Sequence, residues 1–199
     1  MDMIRKVWQP EIFYHITMRG NNKQNIFINK DDFLFFTHTL YQANKMHSFT
    51  LIAYSLMNNH NHLLIRSPRV PLSEVLIFIN QQYSTYFKRK YEYFDQLFET
   101  RYYTNMISNP MELLKVSKYI HRNHLYTQKK ILEGLAEYPY SSYSFYIDGK
   151  KRKPSYMNTS LLPSIIKQYP QLKIANYNMY CETIYMDVEK TFHRPYSLT

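Results

Sequence analysis

Two histidines one residue apart, His60 and His62, lie in the run Ser55-Leu56-Met57-Asn58-Asn59-His60-Asn61-His62-Leu63-Leu64-Ile65. On a β-strand, residues i and i+2 point to one face, roughly 6 to 7 Å apart along the chain. Imidazoles so presented can grip one divalent metal ion, because neutral histidine is the commonest protein metal ligand. The ordinary alternative is a solvated strand face. Asn61 between them points the other way, and an unpaired amide buried there costs ~1 to 3 kcal/mol. Further on, Tyr119 and Asn123 are four residues apart and share a face if that stretch is helical. A phenol at the edge of a core is ordinarily packing with its hydroxyl in water. Asn123 could be a ligand or could cap the end of the helix.

Whether these side chains meet depends on the elements that carry them. Ile12 to Met18 is β-branched and aromatic and reads as a strand, ended by Gly20 and the polar run Asn21 to Asn25. Asp31 or Asp32 caps a helix to about Met46, with Phe33, Phe36, Leu40 and Ala43 or Asn44 at helical spacing. Phe49 to Met57 and His60 to Arg66 read as two strands joined by a tight Asn58-Asn59 turn, since Asn tolerates positive φ. The histidines then begin the third strand, with His62 and Leu64 on one face and Leu63 and Ile65 on the other.

Pro71 opens a long helix to about Lys90, striped by Leu72, Val75, Leu76, Ile79, Tyr83 and Tyr86 or Phe87. It ends in Lys88-Arg89-Lys90, a natural place for phosphate contacts. Leu97 to Tyr103 looks extended. Asn109-Pro110 supplies an N-cap and a first-turn proline for a helix that turns Leu113, Val116 or Ser117, and Ile120 inward and ends near His124. Beyond Ile147 a turn and cationic run, Asp148 to Pro154, reads as a solvated linker, followed by a short helix between Thr159 and Tyr169. The expected division is one catalytic domain over 1–148, with a basic linker and short C-terminal extension over 149–199.

Composition narrows the partners. A formal net charge of +10 draws polyanions, of which nucleic acid is the commonest. The 21 tyrosines interleaved with cations suit single strands, whose unstacked bases lie on rings. A single Cys181 excludes an internal disulfide and fits a reducing compartment. No run approaches the ~18 apolar residues of a membrane span. The segment Met1 to Trp8 lacks the apolar stretch of a secretory signal, so the expected location is cytoplasmic.

An ordered set of segments then carries a resemblance. Thr17-Met18-Arg19-Gly20-Asn21-Asn22, Ile52 to Met57 leading into Asn59-His60-Asn61-His62-Leu63-Leu64-Ile65, Tyr119-Ile120-His121-Arg122-Asn123, and Glu137-Tyr138-Pro139-Tyr140-Ser141-Ser142-Tyr143 follow one another with compatible spacings. Together they resemble the single-tyrosine HUH transposases, the insertion-sequence-200-like enzymes, and in particular the REP-associated tyrosine transposases. The resemblance spans about Ile12 to Tyr146. The apolar residue usual between the histidines is here Asn61, and the branch's Asn-Pro after the tyrosine motif is here Asn123-His124.

The resemblance implies an α+β fold, an antiparallel sheet flanked by helices with a ferredoxin-like core and a C-terminal extension. It implies Mg²⁺ or Mn²⁺ held by His60, His62 and Asn123, with His121 and His124 as lesser alternatives to Asn123. Tyr119 would be the nucleophile, forming a covalent 5′-phosphotyrosine and releasing a 3′-hydroxyl. Another 3′-hydroxyl can reverse the step without a nucleotide cofactor, because a phenol of pKa near 10 leaves far better than an alkoxide. The implied substrate is single-stranded DNA cut beside a hairpin, with Arg19, Lys88, Arg89 and Arg101 as candidate backbone contacts on charge and position. Family members include dimers, so a homodimer is open. The alternative is a domesticated, non-catalytic binder of DNA or RNA hairpins. A nuclease of the His-Asn-His class is excluded, since that class draws its three residues from separated positions.

Overall fold

A computed structural model describes residues 8–127 and 134–183. Four antiparallel strands, β1 (Phe13–Arg19), β2 (Thr50–Met57), β3 (His60–Arg66) and β4 (Tyr103–Ile107), form one sheet in the order β2-β3-β1-β4. The helices are α1 (Lys30–His47), α2 (Leu72–Tyr91), α3 (Pro110–Thr127), α4 (Ser144–Ile147), α5 (Leu161–Gln168) and α6 (Tyr177–Glu182). This is the expected antiparallel sheet flanked by helices.

Strand alternation divides the apolar residues into two cores. Tyr14, Ile16, Met18, Leu56, Leu63 and Ile65 face α1 and α2 and meet Phe36, Leu40, Leu76, Ile79 and Tyr83. Phe13, Ala53, Leu64 and Ile107 face α3 and meet Leu113, Leu114, Val116 and Ile120. On that second face one end of the sheet turns polar, where His15, Thr17, Ser55, His60 and His62 are all buried. Buried polar groups need partners or a function.

Several elements differ from the sequence expectation. The N-cap of α1 is Asn29, which accepts from Asp31 N, while Asp32 reaches back to the amide of Asn29 at 2.9 Å. The acidic residue completes a capping box from inside the first turn. Pro71 is the N-cap of α2, so the helix begins at Leu72, one residue later than expected. Leu97 and Phe98 form a buried anchor, not a strand, with a single bridge from Phe98 to Gly20, and the strand begins only at Tyr103. Asn109 does cap α3, accepting from Glu112 N at 2.9 Å, and α3 runs on past His124 to Thr127.

Residues 138–182 are fastened to the rest of the chain. Leu56 N donates to Tyr140 O at 3.0 Å and Leu51 N to Tyr156 O at 2.7 Å, so these segments cover the outer edge of β2. Leu162, Ile165 and Ile166 of α5 and Tyr177 and Tyr180 of α6 join the core behind α3. The cationic run from Lys150 to Lys153 is exposed.

Candidate active site

The Asn58-Asn59 turn is clamped onto the end of β1. Gly20 N donates to Asn59 O at 2.9 Å, and Ile26 N and Phe27 N donate to Asn58 O at 2.7 and 2.9 Å. A Cβ at position 20 would stand 2.2 Å from Gln24 O, so this close approach requires glycine. The clamp sets the register that places His60 opposite Arg19 and His62 opposite Thr17. The two imidazoles lie 5.0 Å apart between centroids and nearly perpendicular.

Helix α3 crosses this end of the sheet. Its Asn123 Oδ1 lies 3.2 Å from His60 Nε2. Because α3 continues to Thr127, Asn123 sits inside the helix and does not cap it. One turn earlier, the half-buried Tyr119 ring stands edge-on to His62, with centroids 5.5 Å apart. His60, His62, Tyr119 and Asn123 are thus brought together within one chain. Of the alternatives, His121 has both ring nitrogens engaged, while both nitrogens of His124 lack hydrogen-bond partners among the described residues. His121 is bonded to Ser142 Oγ at 2.8 Å and Tyr177 OH at 2.9 Å, and His124 stacks on Tyr138 with centroids 4.6 Å apart.

Hydrogen bonds assign the imidazole lone pairs. His60 Nδ1 lies 2.7 Å from Asn59 Oδ1, an acceptor, so Nδ1 carries the proton and Nε2 the lone pair. That lone pair faces the carbonyl oxygen of Asn123, a second acceptor. His62 Nδ1 lies 3.0 Å from His15 Nε2 and 2.9 Å from Thr17 Oγ1, while its Nε2 is buried with no hydrogen-bond partner among the described residues. Two such acceptors are reconciled by a proton or a cation between them, or by the Asn123 amide turned to present its N–H2. A proton is disfavoured: burial, with a smaller push from Arg19 and a partial pull upward from Asn123, drives His60 down to about 4. Burial foremost, then His60, His15 and Arg19, holds His62 well below its ordinary value. Neutral imidazoles and an amide oxygen fit a divalent cation. Among the described residues no three His, Cys, Asp or Glu side chains gather into a metal cage, so this set carries no negative charge of its own.

The cations divide by position. Arg19 is half-buried opposite His60, close enough for its charge to act on both histidines. Arg101 is exposed in the loop before β4, and that loop is tied to the same end of β1 by Glu99 N donating to Arg19 O at 2.9 Å. Lys88 is half-buried and Arg89 exposed at the end of α2; no described hydrogen bond or ion pair joins either to the histidine pair. Their neighbour Lys90 is held by buried Asp32, with Nζ 2.8 Å from Oδ1.

Two features were not singled out by the sequence. His15 is buried against His62, with its ring centroid 6.0 Å from that of Tyr119. Its signal was the alternation His15, Thr17, Arg19 on the strand that pairs with the histidines. The second is the support behind α3, where Arg122 Nη1 donates to Cys181 O at 3.0 Å, Lys118 Nζ donates to Thr183 O, and Tyr177 OH meets His121.

Comparison with known proteins bears on the family and the fold. The family described as "Transposase IS200 like" matches residues 9–123. No curated protein matches the sequence. Among solved structures, a REP-associated tyrosine transposase bound to a REP hairpin aligns with a TM-score of 0.61 at 14% identity, covering 80% of this chain and 93% of its own. A protein from Deinococcus radiodurans described as a transposase aligns with a TM-score of 0.42 at 13% identity, covering 61% of this chain and 97% of its own.

Proposed function

Because the chain belongs to the family of IS200-like transposases, we propose that it is a metal-dependent endonuclease and strand transferase for single-stranded DNA. It acts at hairpin-flanked sites through a covalent 5′-phosphotyrosine. The observation that carries this reading is the meeting of Tyr119 with His60, His62 and Asn123 in one chain. A REP hairpin is the ligand of the structurally similar transposase, which supports hairpin DNA as the partner here.

His60 Nε2, His62 Nε2 and Asn123 Oδ1 would hold Mg²⁺ or Mn²⁺, which withdraws charge from a bound phosphate and orients it. The Tyr119 oxygen, losing its proton, bonds to phosphorus as the bond to the 3′-oxygen breaks and that oxygen takes up a proton. The product is again a phosphodiester, now between Tyr119 and the 5′ end, so an incoming 3′-hydroxyl can reverse the exchange and join strands. Arg19, beside the histidines, neutralises the phosphodiester; Arg101, Lys88 and Arg89 take backbone phosphates further along the strand. The position of Tyr119 beside its own chain's His62 supports a site complete in one protomer.

The test is incubation with a hairpin-bearing single-stranded oligonucleotide and Mg²⁺ or Mn²⁺. A covalent protein–DNA adduct is expected, and it should disappear with EDTA and in His60→Ala, His62→Ala and Tyr119→Phe. Hairpin binding that survives all three substitutions, with no adduct from the unaltered protein under either metal, would establish the non-catalytic binder instead.

A further inference from the structure

His15 is a buried imidazole at the boundary between the apolar core and the polar end of the sheet. It follows Phe13 on the same strand face, pairs across β1 and β3 with Leu64, and is 8% exposed. Burying such a group is unfavourable unless its nitrogens are used. Its Nε2 lies 3.0 Å from the Nδ1 of His62, on the side of that ring away from Nε2. That contact makes His15 a neighbour of a ligand and not a ligand itself.

The proton between the two rings can be assigned. His62 Nε2 is buried with no partner among the described residues. An orphaned buried N–H is rarer and more costly than an under-used lone pair. The proton of neutral His62 therefore sits on Nδ1, where His15 Nε2 and Thr17 Oγ1 both stand ready at 3.0 and 2.9 Å. A threonine hydroxyl rotates and can donate or accept, so by itself it leaves the choice of nitrogen open.

We propose that His15 is a positioning residue for the metal site: its Nε2 accepts the Nδ1 proton of His62 and fixes the tautomer whose Nε2 lone pair is available to the cation. The inference rests on the metal-dependent reading above and goes beyond it. Asn59 does the same for His60 through Oδ1 at 2.7 Å, so each imidazole of the pair has its own orienting acceptor. Partners of this kind set both ring orientation and ligand basicity.

The experiment uses the full chain and two readouts besides activity. Long-range ¹H–¹⁵N correlation of the metal-free protein reports the His62 tautomer, and calorimetric titration with Mn²⁺ reports affinity. The expected results are Nδ1–H on His62 and an affinity reduced ~10- to 100-fold in His15→Phe. His15→Gln, whose Oε1 can accept the same proton, should recover much of the loss. Metal-free hairpin binding should stay unchanged throughout. An Nε2–H tautomer in the unaltered protein, or unchanged Mn²⁺ affinity in His15→Phe, overturns the role of His15. If His15→Phe does not fold, the tautomer of the unaltered protein and the affinity of His15→Gln decide the question. Failure of the unaltered protein to bind Mn²⁺ at all overturns the metal reading, and this proposal with it.

Discussion

The ring of Tyr119 stands edge-on to the imidazole of His62 in the same chain, 5.5 Å between centroids. If Tyr119 is the nucleophile and the histidines hold the metal, as proposed, the site needs no tyrosine from a partner. Mixing Tyr119→Phe with His60→Ala/His62→Ala should therefore form no more adduct than either variant alone, measured on denaturing gels. Restored adduct in the mixture would show that tyrosine and histidines are exchanged between protomers.

Asn61, from the cost of its burial, is expected to find a partner or to sit on a less buried face, and it does neither. It is fully buried between Met18 and Leu56 on the face of α1 and α2, and both its amide atoms lack partners among the described residues. Asn61→Val should raise stability by ~1 to 3 kcal/mol, since it removes two unmet polar groups from a strand that suits a β-branched residue. Urea denaturation measures the gain, and adduct yield should be unchanged because the side chain faces away from the site. Loss of stability instead would mean that the amide serves a buried partner.

The parts legible in the sequence were those written in local periodicity. The alternation of β3 put His62 and Leu64 against α3 and Leu63 and Ile65 against α1 and α2, as the spacing required. The spacing of Tyr119 and Asn123 placed both on the face of α3 that meets the histidines. What was not legible depends on long-range contact. Leu97 and Phe98 read as extended but are loop anchors, because Gly20 and Asn21 hold them. Nothing local marks Tyr177 as the partner of His121, 56 residues away. Strand alternation did hold His15 on the site face, but only the pairing of β1 with β3 shows which ring it touches.

Asp32 makes α1 and α2 acid-sensitive. It is fully buried and accepts from Ile28 N, Asn29 N, Lys90 Nζ, Tyr86 OH and Tyr91 OH. Burial raises its pKa, but the bonds from Lys90, the two amides and Tyr91 outweigh that and hold it below the ordinary value. A depressed carboxylate stabilises the fold above the unfolded pKa of about 3.9, and the contribution is lost as pH falls through the folded value. Asp32→Asn should cost about 2 to 4 kcal/mol at pH 7 and markedly less at pH 3, read from denaturation midpoints across pH. Equal destabilisation at both values would contradict the assignment.

Tyr177 holds the back of the tyrosine helix through its hydroxyl, 2.9 Å from His121 Nδ1 in a fully buried setting. Tyr177→Phe keeps the ring and strands the imidazole nitrogen, so it should lower stability by about 1 to 2 kcal/mol. Thermal melting checks this. A neutral result would mean that another group takes over the His121 nitrogen.

The central claim is that Tyr119 is the residue that joins DNA. Mass spectrometry of the adduct formed on a hairpin-bearing single-stranded oligonucleotide, after proteolysis and nuclease trimming, locates the linkage directly. The account predicts a 5′-phosphonucleotide on the peptide containing Tyr119, absent in Tyr119→Phe. A nucleotide on any other residue, or an adduct undiminished in Tyr119→Phe, would contradict it.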